Sequence, residues 1–291
     1  MPFVQRPGQP DLYYAEDDFT DPWLDAPILI LLHGYCRTSE FWYRWVSVLC
    51  RKFRVIRPDL RGLGRSPRQF DLNRDLTFEA YVEDLHAIVD SLGGGPVHLC
   101  GESFGGTIEM AFAARYPALV KSLTIVSSPV FLNEASRKTY ACGHESWPAA
   151  LRAMGPRAWL ANTNGSTRFP PDTPPEFLAW YIDGVAAAGE DMLIRFAEIG
   201  LSTDLRPLLP QIAAPTLVLL PSGGVIADDS QRAALAAGIR DIRFSAMPTS
   251  YHMINFILPE RCAAETMAFA ESVESKRRRL RCGEANVDRR A

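Results

Sequence analysis

Val97-His98-Leu99-Cys100-Gly101-Glu102-Ser103-Phe104-Gly105-Gly106, residues 97–106, is the stretch on which the fold turns. Its first four residues are an apolar run of strand length. From Gly105 to Tyr116 the chain is rich in alanine, reads as a helix and stops at Pro117. Gly-x-Ser-x-Gly between a strand and a helix is the setting of a nucleophile elbow. The spacing has a steric cause. A serine at the tip of a sharp strand-to-helix turn holds a strained backbone, and the residues two away on either side must then lack side chains. The N-terminus of the helix beneath it favours negative charge at the serine. The pattern predicts Ser103 as a nucleophile; its alternative is a glycine-rich turn with no chemistry.

On both sides of this stretch, strand-like and helix-like segments alternate. Pro27 to Leu32 is a continuous apolar run, as expected of a strand buried on both faces. Ser39 to Arg51 reads as a helix and Phe53 to Ile56 as the next strand. Thr77 opens a helix whose apolar residues Tyr81, Val82, Leu85, Ile88, Val89 and Leu92 keep a helical period, and Gly93-Gly94-Gly95-Pro96 ends it. Strands follow at Leu123–Val126, Pro215–Leu220 and Ile242–Ala246, and a last helix at Cys262–Val273. This alternation predicts an α/β fold, a mostly parallel central sheet flanked by helices. Residues 131–206 break the alternation: they hold Trp147, Trp159 and Trp180 and four prolines between 170 and 175, with no clear strand. They read as a helical insertion. The core is then residues 1–130 and 207–275, the lid 131–206, and residues 276–291 a basic tail, expected to be solvated and frayed.

Composition excludes several classes. The 291 residues are 47% apolar and 22% charged with a net charge of -3, too balanced for a nucleic-acid-coating protein and too apolar for a disordered one. The longest apolar runs have strand length, so no bilayer span is expected. The opening MPFVQRPGQP lacks the apolar core of a signal peptide, which leads us to expect a cytoplasmic chain. Cysteines at 36, 50, 100, 142, 262 and 282 show no zinc-type spacing and read as reduced thiols. Neither a metal nor an organic cofactor is implied; the expected partner is a small-molecule substrate, with no nucleic acid and no membrane.

Two further segments carry chemistry. His33-Gly34-Tyr35 directly follows the first buried strand and reads as an oxyanion loop, in which the backbone N–H groups of Tyr35 and Phe104 point at one developing oxyanion. The plain alternative is a strand-end turn with a buried histidine. Tyr251-His252-Met253 follows the last strand. Serine needs a base, and nucleophile first with histidine last is the chain order of one hydrolase class. His86 on a helix and His98 in a strand read as structural, which leaves His252 as the base.

Taken together, His33-Gly34, the segment FRVIRPDLRGLGRS at 53–66, the elbow at 101–106, the strand at 215–220 and His252 resemble the α/β-hydrolase fold family over most of the chain. The lid position resembles that of the capped esterases, lactonases and carbon–carbon hydrolases. The resemblance implies a triad acid after the strand before the last one, as Gly-x-x-Asp, yet the matching position is Gly224. A second family location, just after Leu123–Val126, holds Ser127-Ser128. Asp228 is the nearest candidate acid, with Asp229 and Glu134 behind it; each aspartate is equally a helix N-cap. Glu102, beside the nucleophile, is expected to pack or hydrogen-bond there, and Asp59, Arg61 and Ser66 are expected to shape their loop. The leading expectation is a serine hydrolase of a small ester, lactone or thioester. The alternatives are histidine-centred carbon–carbon hydrolysis, lyase or cofactor-free oxygenase chemistry on the same fold, or a ligand-binding relative with weak turnover. The lid tryptophans either line the substrate pocket or form the lid's own core.

Overall fold

A computed structural model describes residues 3–287 apart from 225 and 227; no side chain is described at 166 or beyond 280. Eight strands form one sheet: β1 (Phe3–Val4), β2 (Leu12–Asp17), β3 (Ile28–Leu32), β4 (Arg54–Pro58), β5 (Val97–Glu102), β6 (Val120–Val126), β7 (Thr216–Pro221) and β8 (Ile242–Met247). Their spatial order is β1-β2-β4-β3-β5-β6-β7-β8. The β1–β2 and β2–β4 pairs are antiparallel, and β4 to β8 run parallel. The helices are α1 (Tyr43–Leu49), α2 (Leu72–Asp75), α3 (Phe78–Ser91), α4 (Phe104–Arg115), α5 (Glu134–Ala141), α6 (Trp147–Met154), α7 (Pro156–Thr163), α8 (Pro175–Ala186), α9 (Glu190–Ser202), α10 (Asp229–Gly238), α11 (Ile254–Ile257) and α12 (Pro259–Val287).

β3 shows why a run without polar alternation becomes a strand here. Leu29 and Leu31 point to one face, where Trp42, Trp45 and the α12 residues Ala263 and Phe269 cover them. Ile30 and Leu32 point to the other, against α3 and α4. With both faces covered, each leucine contributes the full burial of its side chain, about 1.5–3 kcal/mol. Thr77 caps α3, its hydroxyl accepting the Ala80 N–H at 3.0 Å.

Three features differ from the sequence reading. β1 and β2 extend the sheet antiparallel at one edge, through residues that carry no long apolar run. The segment 39–51 begins with a short 3-10 turn, Ser39–Trp42, before α1. The last helix runs to Val287, so residues 276–287 continue α12 where a frayed tail was expected; 288–291 lie outside the described residues. The insertion is helical, α5 to α9, with a single antiparallel bridge, Phe131 to Asp204, at its base.

Candidate active site

The elbow forms as its spacing requires. Ser103, between β5 and α4, has φ 51° and ψ −123°, in the left-handed region that costs a side-chain-bearing residue about 1–3 kcal/mol. A Cβ on Gly101 would strike the Gly106 backbone, and one on Gly105 the Leu32 carbonyl oxygen. The turn therefore closes only with glycine at these positions. Cys36 and Ser127, beyond the ends of β3 and β6, have positive φ as well. Bent backbone thus gathers at the same end of three neighbouring strands.

His252 arrives from the loop after β8. Its Nε2 lies 3.1 Å from Ser103 Oγ, and the ring is 4% exposed. The lid holds this loop in place: the His252 N–H donates to the Thr167 carbonyl at 2.9 Å, and the Met253 N–H to that of Arg168 at 3.2 Å. Residues 164–168 form a π-helical turn, which brings those two carbonyls to the loop. Burial first, then the nearby Arg168 and Arg37 guanidinium groups, push the imidazole well below its usual 6.5. The ring is accordingly neutral near pH 7, the state a base requires.

Asp228 does not reach this histidine, and its assignment as triad acid is corrected. Oδ1 accepts from the Ser230 N–H at 3.0 Å, the Ser230 hydroxyl at 2.6 Å and the Gln231 N–H at 3.2 Å, while Oδ2 accepts from Asn133 Nδ2 at 2.6 Å. Both oxygens are used in capping α10 and tying it to the lid's base. Asp229 is exposed in the first turn of α10, and Glu134 is exposed on α5 opposite Lys138. Gly224, at the family position, has φ 118° and a Cβ there would crowd the Ser250 carbonyl, so this backbone is shaped for glycine. His252 Nδ1 is buried with no hydrogen-bond partner among the described residues.

One carboxylate does come near the ring. Glu102 is 1% exposed; Oε2 is paired with Arg37 Nη2, and Oε1, which has no hydrogen-bond partner among the described residues, lies 3.8 Å from His252 Nε2. Burial pushes the Glu102 carboxyl up, and Arg37 opposes that rise. Arg37 also donates to the Tyr181 hydroxyl at 2.9 Å, linking the core to α8 of the lid. The sequence reading expected Glu102 to pack or hydrogen-bond beside the elbow, and did not single out Arg37 or Arg168. Their signal was absent because a lone Arg after a Gly-Tyr-Cys turn, or within a lid loop, has no local pattern.

His33 is buried, with Nδ1 3.0 Å from the Gly34 carbonyl and Nε2 accepting the Leu60 N–H at 3.1 Å; burial pushes it down to about 3. It joins the β3 loop to the β4 loop. Asp59 accepts N–H groups of Ser39 and Arg65 in that second loop, Ser66 donates to the Asp59 carbonyl, and Arg61 pairs with Asp84. His98 is also buried, bridging Ser122 and Glu274.

A cavity of about 40 Å³ opens on the pair, lined by Ser103, His252, Tyr35, Phe104, Arg37 and Arg168, with Trp147, Tyr140 and Phe196 behind them. That is room for about three waters at ~10–15 Å³ each, so the guest it suits is small. Trp159 and Trp180 do not line it, contrary to one of the two expectations for them: Trp159 is fully buried within the lid, and Trp180 stacks on Phe41 while remaining 37% exposed.

Residues 27–165 match the family model described as the alpha/beta hydrolase fold. With β5, α4 and the parallel order of β4 to β8 in hand, this match decides the fold. The chain has the α/β-hydrolase fold. A provisionally named carbamate hydrolase, RutD of Azorhizobium caulinodans, is 27% identical over 89% of this chain and 94% of its own. A thermophilic esterase from Thermogutta terrifontis superposes with a TM-score of 0.75 at 25% identity, over 94% of this chain and 97% of that one. The fold is also that of the enol-lactonase from Burkholderia xenovorans LB400, with a TM-score of 0.72 and 24% identity over 91% and 96% of the two chains. Each of these three proteins is named for a hydrolytic activity, and this chain shares the fold. No helix among its described residues is long and apolar enough to cross a membrane.

Proposed function

We propose that this protein is a serine hydrolase that cleaves a small ester, lactone or thioester through an acyl-enzyme on Ser103, with His252 as general base. The observation that carries the reading is the 3.1 Å contact between His252 Nε2 and a Ser103 held at the tip of a strained elbow. Ser103 gives its proton to Nε2 as Oγ attacks the carbonyl carbon. The backbone N–H groups of Tyr35 and Phe104, residues that both border the cavity, receive the oxyanion. The leaving group takes the proton back from the imidazolium, and water, deprotonated by His252, releases the acid. Glu102, 3.8 Å from Nε2, is the carboxylate available to offset the imidazolium charge. On this reading the enzyme works as a Ser103–His252 dyad beside an Arg37–Glu102 pair, and the lid contacts at Thr167 and Arg168 orient the histidine. A cytoplasmic setting belongs to the same reading, in keeping with the free thiols of Cys36, Cys50, Cys100, Cys142 and Cys262.

The test is fluorophosphonate labelling together with turnover of p-nitrophenyl acetate, of a short lactone and of a carbamate, the last because of the relative's name. Wild type is expected to label at Ser103, and Ser103→Ala to lose both the label and ester turnover while keeping its thermal stability. The unpartnered Nδ1 favours a second reading, chemistry centred on the histidine, in which a triad acid is dispensable. Turnover that persists in Ser103→Ala and disappears in His252→Ala would establish that reading in place of the first.

A further inference from the structure

The charges around the cavity do not balance. Besides His252, its charged lining residues are Arg37 and Arg168. Both are almost fully buried, 2% and 3% exposed. Arg37 has a carboxylate partner in Glu102. Arg168 has none among the described residues. Its Nη1 donates to the Thr163 hydroxyl and, at 3.4 Å, to Asn164 Oδ1, both neutral acceptors. Its guanidinium lies over the rings of Tyr140 and Trp159, 5.4 and 5.1 Å from their centroids. The wall therefore holds two permanent cations against one carboxylate: net +1 with Glu102 ionised, +2 with it protonated. Either way the cavity beside Ser103 is positive. A cation taken out of water is costly unless an anion joins it, and here the described residues supply one anion for two cations.

We propose that the Ser103 cavity takes a small substrate carrying a carboxylate close to its scissile carbonyl, and that Arg168 binds that carboxylate. This deepens the serine-hydrolase reading and rests on it for the bond that is cleaved. The substrate class is a monoester, thioester or lactone of a short dicarboxylic acid. The carbonyl faces Ser103, and the free carboxylate takes the guanidinium edge left over by Thr163 and Asn164. A guanidinium fork matches a planar carboxylate with two parallel hydrogen bonds. A carboxylate matches the two-donor edge of a guanidinium, whereas a tetrahedral phosphate would call on more donors than that edge provides. The rings under Arg168 fix the plane of the fork before substrate arrives, so little ordering remains to be done on binding. Arg168 also offers its backbone carbonyl to the Met253 N–H. The residue that recognises the anion thus sits one residue from the carbonyl that holds His252, and occupancy of the one is coupled to placement of the other.

The experiment compares kcat/KM for p-nitrophenyl acetate and mono-p-nitrophenyl succinate, which share a leaving group and differ by one carboxylate and its short linker. Wild type is expected to favour the succinate by about tenfold or more, as one charge-assisted bidentate contact implies. Arg168→Gln should lower that ratio to near one, and Arg168→Lys should keep part of it. A wild-type ratio of one or less overturns the proposal, and so does a preference that Arg168→Gln leaves intact. A purely structural role for Arg168 would lower both esters together and leave the ratio unchanged, which counts against the proposal. Titration calorimetry of the Ser103→Ala protein with monomethyl succinate, and with inorganic phosphate, separates this from the hydrolase reading. If neither ester is turned over but monomethyl succinate binds Ser103→Ala and fails to bind Ser103→Ala/Arg168→Gln, the anion site stands and the hydrolase reading falls. If neutral ester is turned over and monomethyl succinate does not bind, the anion site falls alone. Phosphate binding more tightly than the half-ester overturns the carboxylate assignment.

Discussion

At the scale of single residues, the site is defined by how each polar atom is used. Asp228 has the right residue type near the right strand, yet four donors already occupy its two oxygens. Asp228→Asn is therefore expected to leave ester turnover within a few-fold of wild type, because asparagine caps a helix equally well. Asp228→Ala should cost about 0.5–2 kcal/mol in a denaturant melt. A drop of about 10³–10⁴-fold in turnover for the Asn variant would return Asp228 to the triad. His252 carries the second residue-level expectation. Its folded pKa is depressed by burial, Arg168 and Arg37, so the ring stays neutral as pH falls through 6.5. With the neutral form as base, the kcat/KM profile on a neutral ester should stay level from about pH 8 down past 6.5 and fall only below it. An acid limb centred at 6.5 or higher would contradict the neutral, buried ring.

At the scale of elements, the lid does more than cover the pocket. The π turn at 164–168 presents the Thr167 and Arg168 carbonyls to the His252 loop, so the insertion helps to place a group of the core. Trp159 anchors the neighbouring helix. It is fully buried, lies 5.4 Å from Trp147 at 17°, and its indole N–H donates to the Tyr140 carbonyl at 2.8 Å. Trp159→Ala is expected to cost about 3–5 kcal/mol, the range for deleting a large buried aromatic side chain, and to lower turnover on every ester alike. Trp180→Ala, at a partly exposed ring, should cost far less in the same melt. Equal losses would mean that the lid is not packed around Trp159. Substrate choice among neutral esters should respond instead to Trp147, which does border the cavity.

At the scale of the whole molecule, α4 is buried along nearly its full length, and Glu109 lies in its middle with no charged partner for its carboxyl among the described residues. Burial pushes this carboxyl well above its usual 4.5. A group whose folded pKa is raised contributes its stability fully below the unfolded value and loses it as pH rises through the folded one. Glu109→Gln does not titrate. Its stability relative to wild type should therefore increase as pH rises above about 4.5 in guanidinium melts. A difference that stays constant with pH would mean that Glu109 is not held protonated in the fold. The residue has no place in the proposed mechanism, and its effect is expected on stability alone.

The α/β alternation, the elbow, the helical lid and the chain order of Ser103 and His252 were legible in the sequence, because each rests on local rules. A buried parallel strand is a continuous apolar run, a strained turn demands glycines at fixed offsets, and a helix repeats every 3.6 residues. The edge strands β1 and β2 were not legible, since they are short and lie at the margin of the sheet, where few positions are apolar on both faces. Nor did the spacing of carboxylates decide the acid. Asp228 and Glu102 were both present in the sequence, and which of them stands near His252 depends on where the β5, β7 and β8 loops converge. The arginines show the same limit most clearly. Arg37 and Arg168 are 131 positions apart in the chain and meet at one cavity only because the lid folds back over the sheet. Sequence alone thus determined the serine elbow and its scaffold, through local sterics and periodicity. The charge of the pocket came from long-range packing, which brings distant ionised side chains into one poorly solvated space.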